Sequence, residues 1–313
     1  MYIGIDMGGT KVSALVLDRD GRECLRLRRP TPASYGETLA ALTAAVNELE
    51  AAVGRRGLPV GLGLPGVVDP VAGTVRAVNL PWLAGRSFGA DLAAALGRRV
   101  PMANDANCFA LSEAVDGAGA GSAVVFGAVL GTGVGGGIVV HGRGLGGAHG
   151  IAGEWGHTPL PWREGEDGPE LVCACGKLGC IETVLSGSGL VNIYNNLSGL
   201  IRKSEEIAKL AVQGEREAEK ALGLYFRALA KALAGVVNFL DPDVIVLGGG
   251  LSDLPGILDK VSSLWNGQAL VAEPRTRLVR ARHGADSGVR GAAWLARQGE
   301  AEAGAQGDGG ATD

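Results

Sequence analysis

Aromatic side chains are scarce: five Trp, five Phe and four Tyr make up 4% of the 313 residues. A ligand gripped between stacked rings is therefore not expected, and polar side chains must supply the contacts. An excess of basic charge is also missing, with 29 Lys and Arg against 33 Asp and Glu. The deficit of four equals the acids Glu300, Glu302, Asp308 and Asp313, which follow the last basic residue, Arg297. The body of the chain is formally neutral and has no clustered cationic face, which excludes nucleic acid and anionic membrane surfaces as expected partners. Cysteine is limited to five. Residues 2–5 form an apolar run with no basic stretch before it, so no secretory signal, a cytoplasmic location and no disulfide framework are expected. Residues 117–142 lack charged side chains and could imitate a membrane span. Ten glycines among them favour two buried strands around a turn instead.

What the chain has in excess is glycine, at 53 residues. No glycine recurs at every third position, and 46% of residues are hydrophobic, so neither collagen nor wholesale disorder fits. The length exceeds what one core usually supports and predicts two domains. Apolar runs bounded by turn residues predict strands over 2–5, 12–17 and 24–28, followed by a helix over 38–53. A strand over 60–64, a helix over 88–96, a strand over 100–103 and a helix over 106–115 complete the first half. The second half repeats the plan, with strands over 123–130 and 137–140, a long helix over 218–240, and strands over 243–247 and 277–281. Helices over 257–264 and 289–297 follow these last two strands. An acidic Gly/Ala-rich stretch over 299–313 reads as disordered.

Both halves open on a hairpin bend of small residues, Asp6-Met7-Gly8-Gly9-Thr10-Lys11 and Gly131-Thr132-Gly133-Val134-Gly135-Gly136. The second matches a dinucleotide fingerprint in letters, but a strand and not a helix follows it, so a nicotinamide cofactor is not expected. In a strand-turn-strand, Asp6 can hold Mg²⁺ through water, the Gly8 and Gly9 amides and Thr10 can reach terminal phosphates, and Lys11 can balance their charge. Gly131, Thr132 and Gly133, and then Gly248, Gly249 and Gly250, form two further turns at strand ends. Three such turns predict a nucleotide site.

Cys173, Cys175 and Cys180 lie within eight residues, with His157 upstream. A Cys₃His set suits a closed, structural Zn²⁺ that pins the loop over 157–182. Asn104-Asp105 stands at a strand-to-helix junction, where Asp105 could accept a proton from a hydroxyl or could simply cap the helix. Glu154, His157 and Glu182 suit hydrogen bonds to neighbouring sugar hydroxyls.

Residues 6–11, 104–107 and 131–133, Glu154-Trp155-Gly156-His157, the thiol set through Glu182, and Leu240-Asp241-Pro242-Asp243 to Gly250 together resemble the ROK family of bacterial sugar kinases. The resemblance runs to about residue 298. It implies a two-lobed actin-like, ribonuclease H-like ATPase fold, with duplicated β-β-β-α-β-α-β-α lobes around a cleft. The lobes would be 1–117, completed by the helix 286–298, and 118–285. ATP with Mg²⁺, a structural zinc, a small-molecule sugar and a homodimer are implied as well. By the same resemblance Asp105 is the general base, and Asn104, Glu154, His157 and Glu182 are sugar ligands. The identity of the sugar would be decided around Pro65-Gly66, residues 79–82 and residues 147–153.

Residues 153–162, 180–183 and 287–294 look most like the fructokinase branch, which implies transfer of the ATP γ-phosphoryl to the 6-hydroxyl of D-fructose, with D-mannose or D-glucose as further acceptors. N-acetylglucosamine kinases of the same family are the alternative. A sugar-responsive regulator or an actin-like ATPase is the alternative of another class, although a regulator's helix-turn-helix finds no room before the strand at residue 2. Fifteen residues separate His157 from Cys173, a longer spacing than the family usually shows.

Overall fold

The structure, a computed structural model, describes residues 1–77 and 79–307. In chain order the elements are β1 (Tyr2–Met7), β2 (Lys11–Leu17), β3 (Glu23–Pro30), α1 (Tyr35–Ala52), β4 (Val60–Leu64), β5 (Val67–Val68), β6 (Val75–Arg76), α2 (Phe88–Leu96), β7 (Met102–Asn104) and α3 (Asp105–Val115). They continue with β8 (Val124–Leu130), β9 (Val134–Val140), β10 (Arg143–Gly144), α4 (Glu182–Leu185), α5 (Gly187–Ser198), α6 (Ser204–Val212), α7 (Arg216–Leu240), β11 (Val244–Gly248), α8 (Ile257–Trp265), β12 (Arg277–Arg280) and α9 (Ser287–Gly307).

The duplication foreseen in the sequence is present in the sheets. One has the order β3-β2-β1-β4-β7 and the other β10-β9-β8-β11-β12, so each begins with a hairpin and ends with parallel strands. Strand β1 pairs antiparallel with β2 and parallel with β4, which in turn runs parallel with β7. Strand β11 runs parallel with both β8 and β12. Central parallel strands are covered on both faces, and every residue of β4 and of β11 is accordingly buried. The second half departs from the predicted order in having four helices, α4 to α7, before β11. Asn, Ser and Gly hide the period of α5, while α4 and α6 are short, at four and nine residues.

Two compact units result, one made of Met1–Ala120, Gly137–Ala152 and the segment from Ala285 onward, the other of Gly121–Gly136 and Gly153–Gly284. Residues 137–152, expected in the second lobe, belong to the first. The reason is close packing on α3: a Cβ on Gly137 would lie 2.7 Å from both the Ala106 carbonyl and the Ala110 side chain. Helix α9 also reaches further than expected. It is described to Gly307, through a stretch whose alternate alanines favour helix, so disorder from residue 299 does not hold there. The remainder of that expectation, 308–313, lies outside the described residues.

In the first unit, α9 lies directly on the sheet. A methyl group on Gly4 of β1 would overlap the Val289 carbonyl, one on Gly61 of β4 the Ala292 carbonyl, and one on Gly291 of α9 the Cys108 carbonyl of α3. These glycines serve backbone-to-backbone contact and not turns. In the second unit α7 is the core helix. It is long and apolar enough to cross a membrane by length and composition, yet it is largely enclosed, with Tyr225 fully buried and donating to the Leu185 carbonyl at 2.9 Å.

Gly291→Ala should therefore destabilise the protein by roughly 2–3 kcal/mol or more through overpacking, read as a lower urea midpoint. Gly36→Ala, in α1 where the added methyl meets nothing within 4 Å, should be neutral or slightly stabilising.

Candidate functional site

Strand register assembles the first unit's share of the site. Asp6 of β1 lies opposite Gly63 of β4, and Leu64 lies opposite Asn104 of β7. The carboxyl ends of three parallel strands thus bring together Asp6, Gly66 and Asn104-Asp105, at the edge where open α/β sheets expose ligands. Gly66 has φ +135° and its backbone leaves no room for a Cβ beside Ala77, so glycine is required there. Asn104 is the N-cap of α3: its Oδ1 accepts from the Ala106 amide at 2.8 Å while its Nδ2 donates to the Gly66 carbonyl at 3.1 Å. Because Asn104 caps the helix, that duty does not fall on Asp105 alone. One Asp105 oxygen, Oδ1, also accepts from the Ala106 amide at 2.8 Å.

The two carboxylates are electrostatically strained. Burial, the neighbouring Asp105 charge and only partial relief from Lys11 push the Asp6 carboxyl up to about 6. The protein packed around Asp105 raises its carboxyl too, although the residue still reaches the surface and the Ala106 amide opposes the shift. Beneath both lies Cys108, wholly buried, whose thiol is pushed up by desolvation and then by the two acids. Two crowded carboxylates with a single opposing lysine fit a divalent cation, which would supply the missing positive charge. The Gly8–Lys11 turn is closed by the Gly8 amide donating to the Lys11 carbonyl at 2.9 Å, with Gly9 and Thr10 at its exposed crown.

The second unit carries the remaining residues. Gly131 and Thr132, after β8, and Gly250, after β11, line a cavity of about 800 Å³. Of the other predicted glycines, Gly248 is buried at the end of β11. Gly249 has φ +79° and is pressed against the Leu130 backbone, so it shapes the turn without facing the cavity. Gly133 faces away as well, toward Glu182, whose Oε2 accepts from the Val134 amide at 2.9 Å. The rest of the cavity was not legible beforehand. Ala208 and Val212 of α6 with Leu251, Leu254 and Pro255 form apolar walls, and Ser188, Glu205 and Lys209 stand at them. The sole hint in the text was that α6 places residues 205, 208, 209 and 212 at helical spacing on one face.

The thiol cluster forms as foreseen. One ligand atom each from His157, Cys173, Cys175 and Cys180 lies within 4.8 Å of all the others. The Cys175 and Cys180 sulfurs are 3.7 Å apart, and the Cys173 sulfur is 3.5 Å from His157 Nδ1. Sulfurs bound tetrahedrally at the usual zinc–thiolate length stand about 3.8 Å apart, so the residues fit Zn²⁺ in a closed site. With Nδ1 toward the thiols, His157 Nε2 points to Glu154, 4.0 Å from its Oε2. Glu182 joins the two features of this unit, since its Oε1 lies 3.7 Å from the Cys173 sulfur while its Oε2 holds the glycine turn.

Comparison with known proteins decides the family. The ROK family profile matches residues 2–299. The chain belongs to the ROK family. Curated N-acetyl-D-glucosamine kinases from Salmonella paratyphi A and Salmonella typhimurium are 41% and 40% identical, over 94% of this chain and 99% of theirs. A ROK hexokinase from Thermus thermophilus superposes with a TM-score of 0.87 at 34% identity, over 96% of this chain and 99% of that one. A ROK glucokinase from Streptomyces griseus, solved with glucose and AMPPNP, does so at 0.74 and 32%, over 95% and 99%. The actin-like ATPase fold and sugar kinase activity follow for this ROK chain. The inclination toward fructokinase does not find support, because these relatives are N-acetylglucosamine kinases, a hexokinase and a glucokinase. Motifs at 153–162 and 287–294 serve packing in large part, as Trp155, Gly291 and Trp294 show, and so speak weakly about substrate.

The raised Asp6 carboxyl makes the folded ROK chain hold a proton that the unfolded chain releases. Stability of the unliganded protein is therefore present below the ordinary carboxylate range and is lost as pH rises toward about 6. Asp6→Asn should flatten this slope and raise the melting temperature at pH 7.5 by roughly 1–2 °C, the shift that about 1 kcal/mol gives at this size. An unchanged or lower melting temperature would contradict the strained-carboxylate reading.

Proposed function

We propose that this ROK kinase transfers the γ-phosphoryl of ATP to the 6-hydroxyl of N-acetyl-D-glucosamine. The observation that carries the substrate is the 40–41% identity to N-acetyl-D-glucosamine kinases over 99% of their length. D-Glucose is the second reading, because the Streptomyces griseus relative holds glucose. Asp105 accepts the hydroxyl proton. Burial raises its affinity for protons, which favours a base, and Asn104 keeps the helix capped while Asp105 does so. In the first unit the second Asn104 amide hydrogen, with Gly66 at the same strand ends, suits a sugar hydroxyl; in the second unit Glu154, the outer face of His157 and Glu182 suit sugar hydroxyls.

The apolar walls at Ala208, Val212 and Leu254 take the adenine ring, and Gly131, Thr132 and Gly250 bring backbone groups toward the phosphates. In the first unit the Gly8–Lys11 turn offers backbone groups suited to a phosphate. A Mg²⁺ ion near Asp6 neutralises charge on the transferring group when bound. His157, Cys173, Cys175 and Cys180 hold a structural zinc, whose part is to fix the imidazole tautomer that faces Glu154. Use of ATP and a thiol-based zinc site both support a cytoplasmic location.

A coupled ADP-release assay on N-acetylglucosamine, glucose, mannose and fructose should give the highest kcat/KM on the first; a preference for fructose would replace this reading. Asp105→Asn should lower kcat by at least ~100-fold with sugar affinity nearly unchanged. His157→Ala should both lose the metal and raise the sugar KM. Loss of metal with an ordinary KM would show that the imidazole does not bridge to the sugar.

A further inference from the structure

The long insertion between His157 and Cys173 is held by a charge buried inside α7. Lys231 is 3% exposed and sits among Ala228, Ala230, Ala232 and Ala234, whose small side chains leave it space. Its Nζ donates to Asp167 Oδ2 at 2.9 Å, to Glu164 Oε2 at 2.9 Å and to the Trp162 carbonyl at 3.2 Å. Asp167 is itself buried, and its Oδ2 also accepts from the Glu164 amide at 2.7 Å, closing a single turn over the ammonium. Three acceptors match the three hydrogens of a lysine.

Other contacts line the same face of α7. One turn before Lys231, Arg227 pairs with Glu166 at the surface, where both side chains stay exposed and the pair adds little to the hold. One turn after it, Gly235 lets Pro161 approach so closely that a Cβ would lie 3.1 Å from the proline ring. Trp162 cannot be the anchor, being 52% exposed. Its φ of +47° is unfavourable for a bulky residue and persists only where surroundings impose it. The imposition is visible in its carbonyl, which faces Lys231.

This clasp acts four residues beyond His157. Between them, residues 158–160 pair with 179–181: the Leu160 amide donates to the Gly179 carbonyl at 3.3 Å, and the Ile181 amide to the Thr158 carbonyl at 2.8 Å. His157 and Glu182 therefore sit at one end of a two-stranded piece whose other end is tied to α7. We propose that Lys231 is a positioning residue for the sugar site, clasping the 161–167 arm to α7 without metal so that His157 and Glu182 stay in place. The proposal rests on the reading of His157 and Glu182 as sugar contacts.

Lys231→Met in the full chain tests it, with Arg227→Ala as a surface comparison. Zinc content should stay at one per chain, amide exchange over residues 161–168 should accelerate at least ~100-fold, and the sugar KM should rise at least ~10-fold while the ATP KM changes by less than ~2-fold. Arg227→Ala should change the sugar KM by less than ~2-fold. Accelerated exchange with an unaltered sugar KM would reduce the clasp to a structural role, and unaltered exchange would remove it altogether; either overturns the proposal. Should Lys231→Met not fold, Asp167→Asn keeps an acceptor while removing the buried negative charge, and the same readouts apply. If the wild-type protein prefers another of the four hexoses, the substrate reading falls and the clasp is judged on that hexose. If it accepts none, both fall.

Discussion

The first unit depends on backbone lying against backbone where α9 meets β1, β4 and α3. Gly4, Gly61 and Gly291 remove the side chains that would hold these elements apart. That approach also sets the chemistry. Gly288, at the start of α9, is so near Asp6 that a Cβ would stand 3.1 Å from its Oδ2, and Gly63 leaves similar space beside Cys108. Ser287 then ties α9 to α3 by donating to the buried Glu113 at 2.8 Å. The helix thus fixes β1, which carries Asp6, relative to α3, which opens with Asp105. Desolvation of both carboxylates follows from this packing and not from any special residue beside them.

The two units treat charge differently. In the first, Asp6 and Asp105 are left crowded, with burial outweighing the lysine at Lys11. In the second, the polar groups are answered internally. Glu182 holds the glycine turn through the Val134 amide, and buried Lys231 has three acceptors. Crowded carboxylates retain strain until positive charge meets them, whereas an internally paired charge is preorganised.

Much of the fold could be read in the text. Residues 60–64 and 88–96 stood out as strand and helix because their apolar patterns are unbroken and bounded by glycine or proline. Helix α5 escaped because its Asn, Ser and Gly blur the period, and α4 and α6 escaped because they are only four and nine residues long, and with them escaped the walls of the 800 Å³ cavity. The thiol cluster was legible because ligand type and spacing are themselves chemical facts. Glycine was read too narrowly, as turns and phosphate contacts; a sequence does not show which glycines face another backbone. Lys231 left a faint signal, one charge inside the apolar stretch 228–237, whose partners lie more than sixty residues away and so could not be named. Substrate choice was the least legible, since motifs shared across a family of sugar kinases report packing as much as recognition.

The position of α9 has a consequence for how the protein is made. Strands β1 and β4 are synthesised well before the helix that covers them. Until residues 287–298 are available, the glycine faces of those strands lack their partner and their apolar neighbours remain open to aggregation. From Gly153 to Gly284 the second unit is nearly continuous in sequence and lacks only the short stretch Gly121–Gly136, which precedes it. It can therefore fold while the first unit waits. The segments of the zinc-loop unit are thus complete before those of the carboxylate unit, although the first strand of the carboxylate unit is synthesised first.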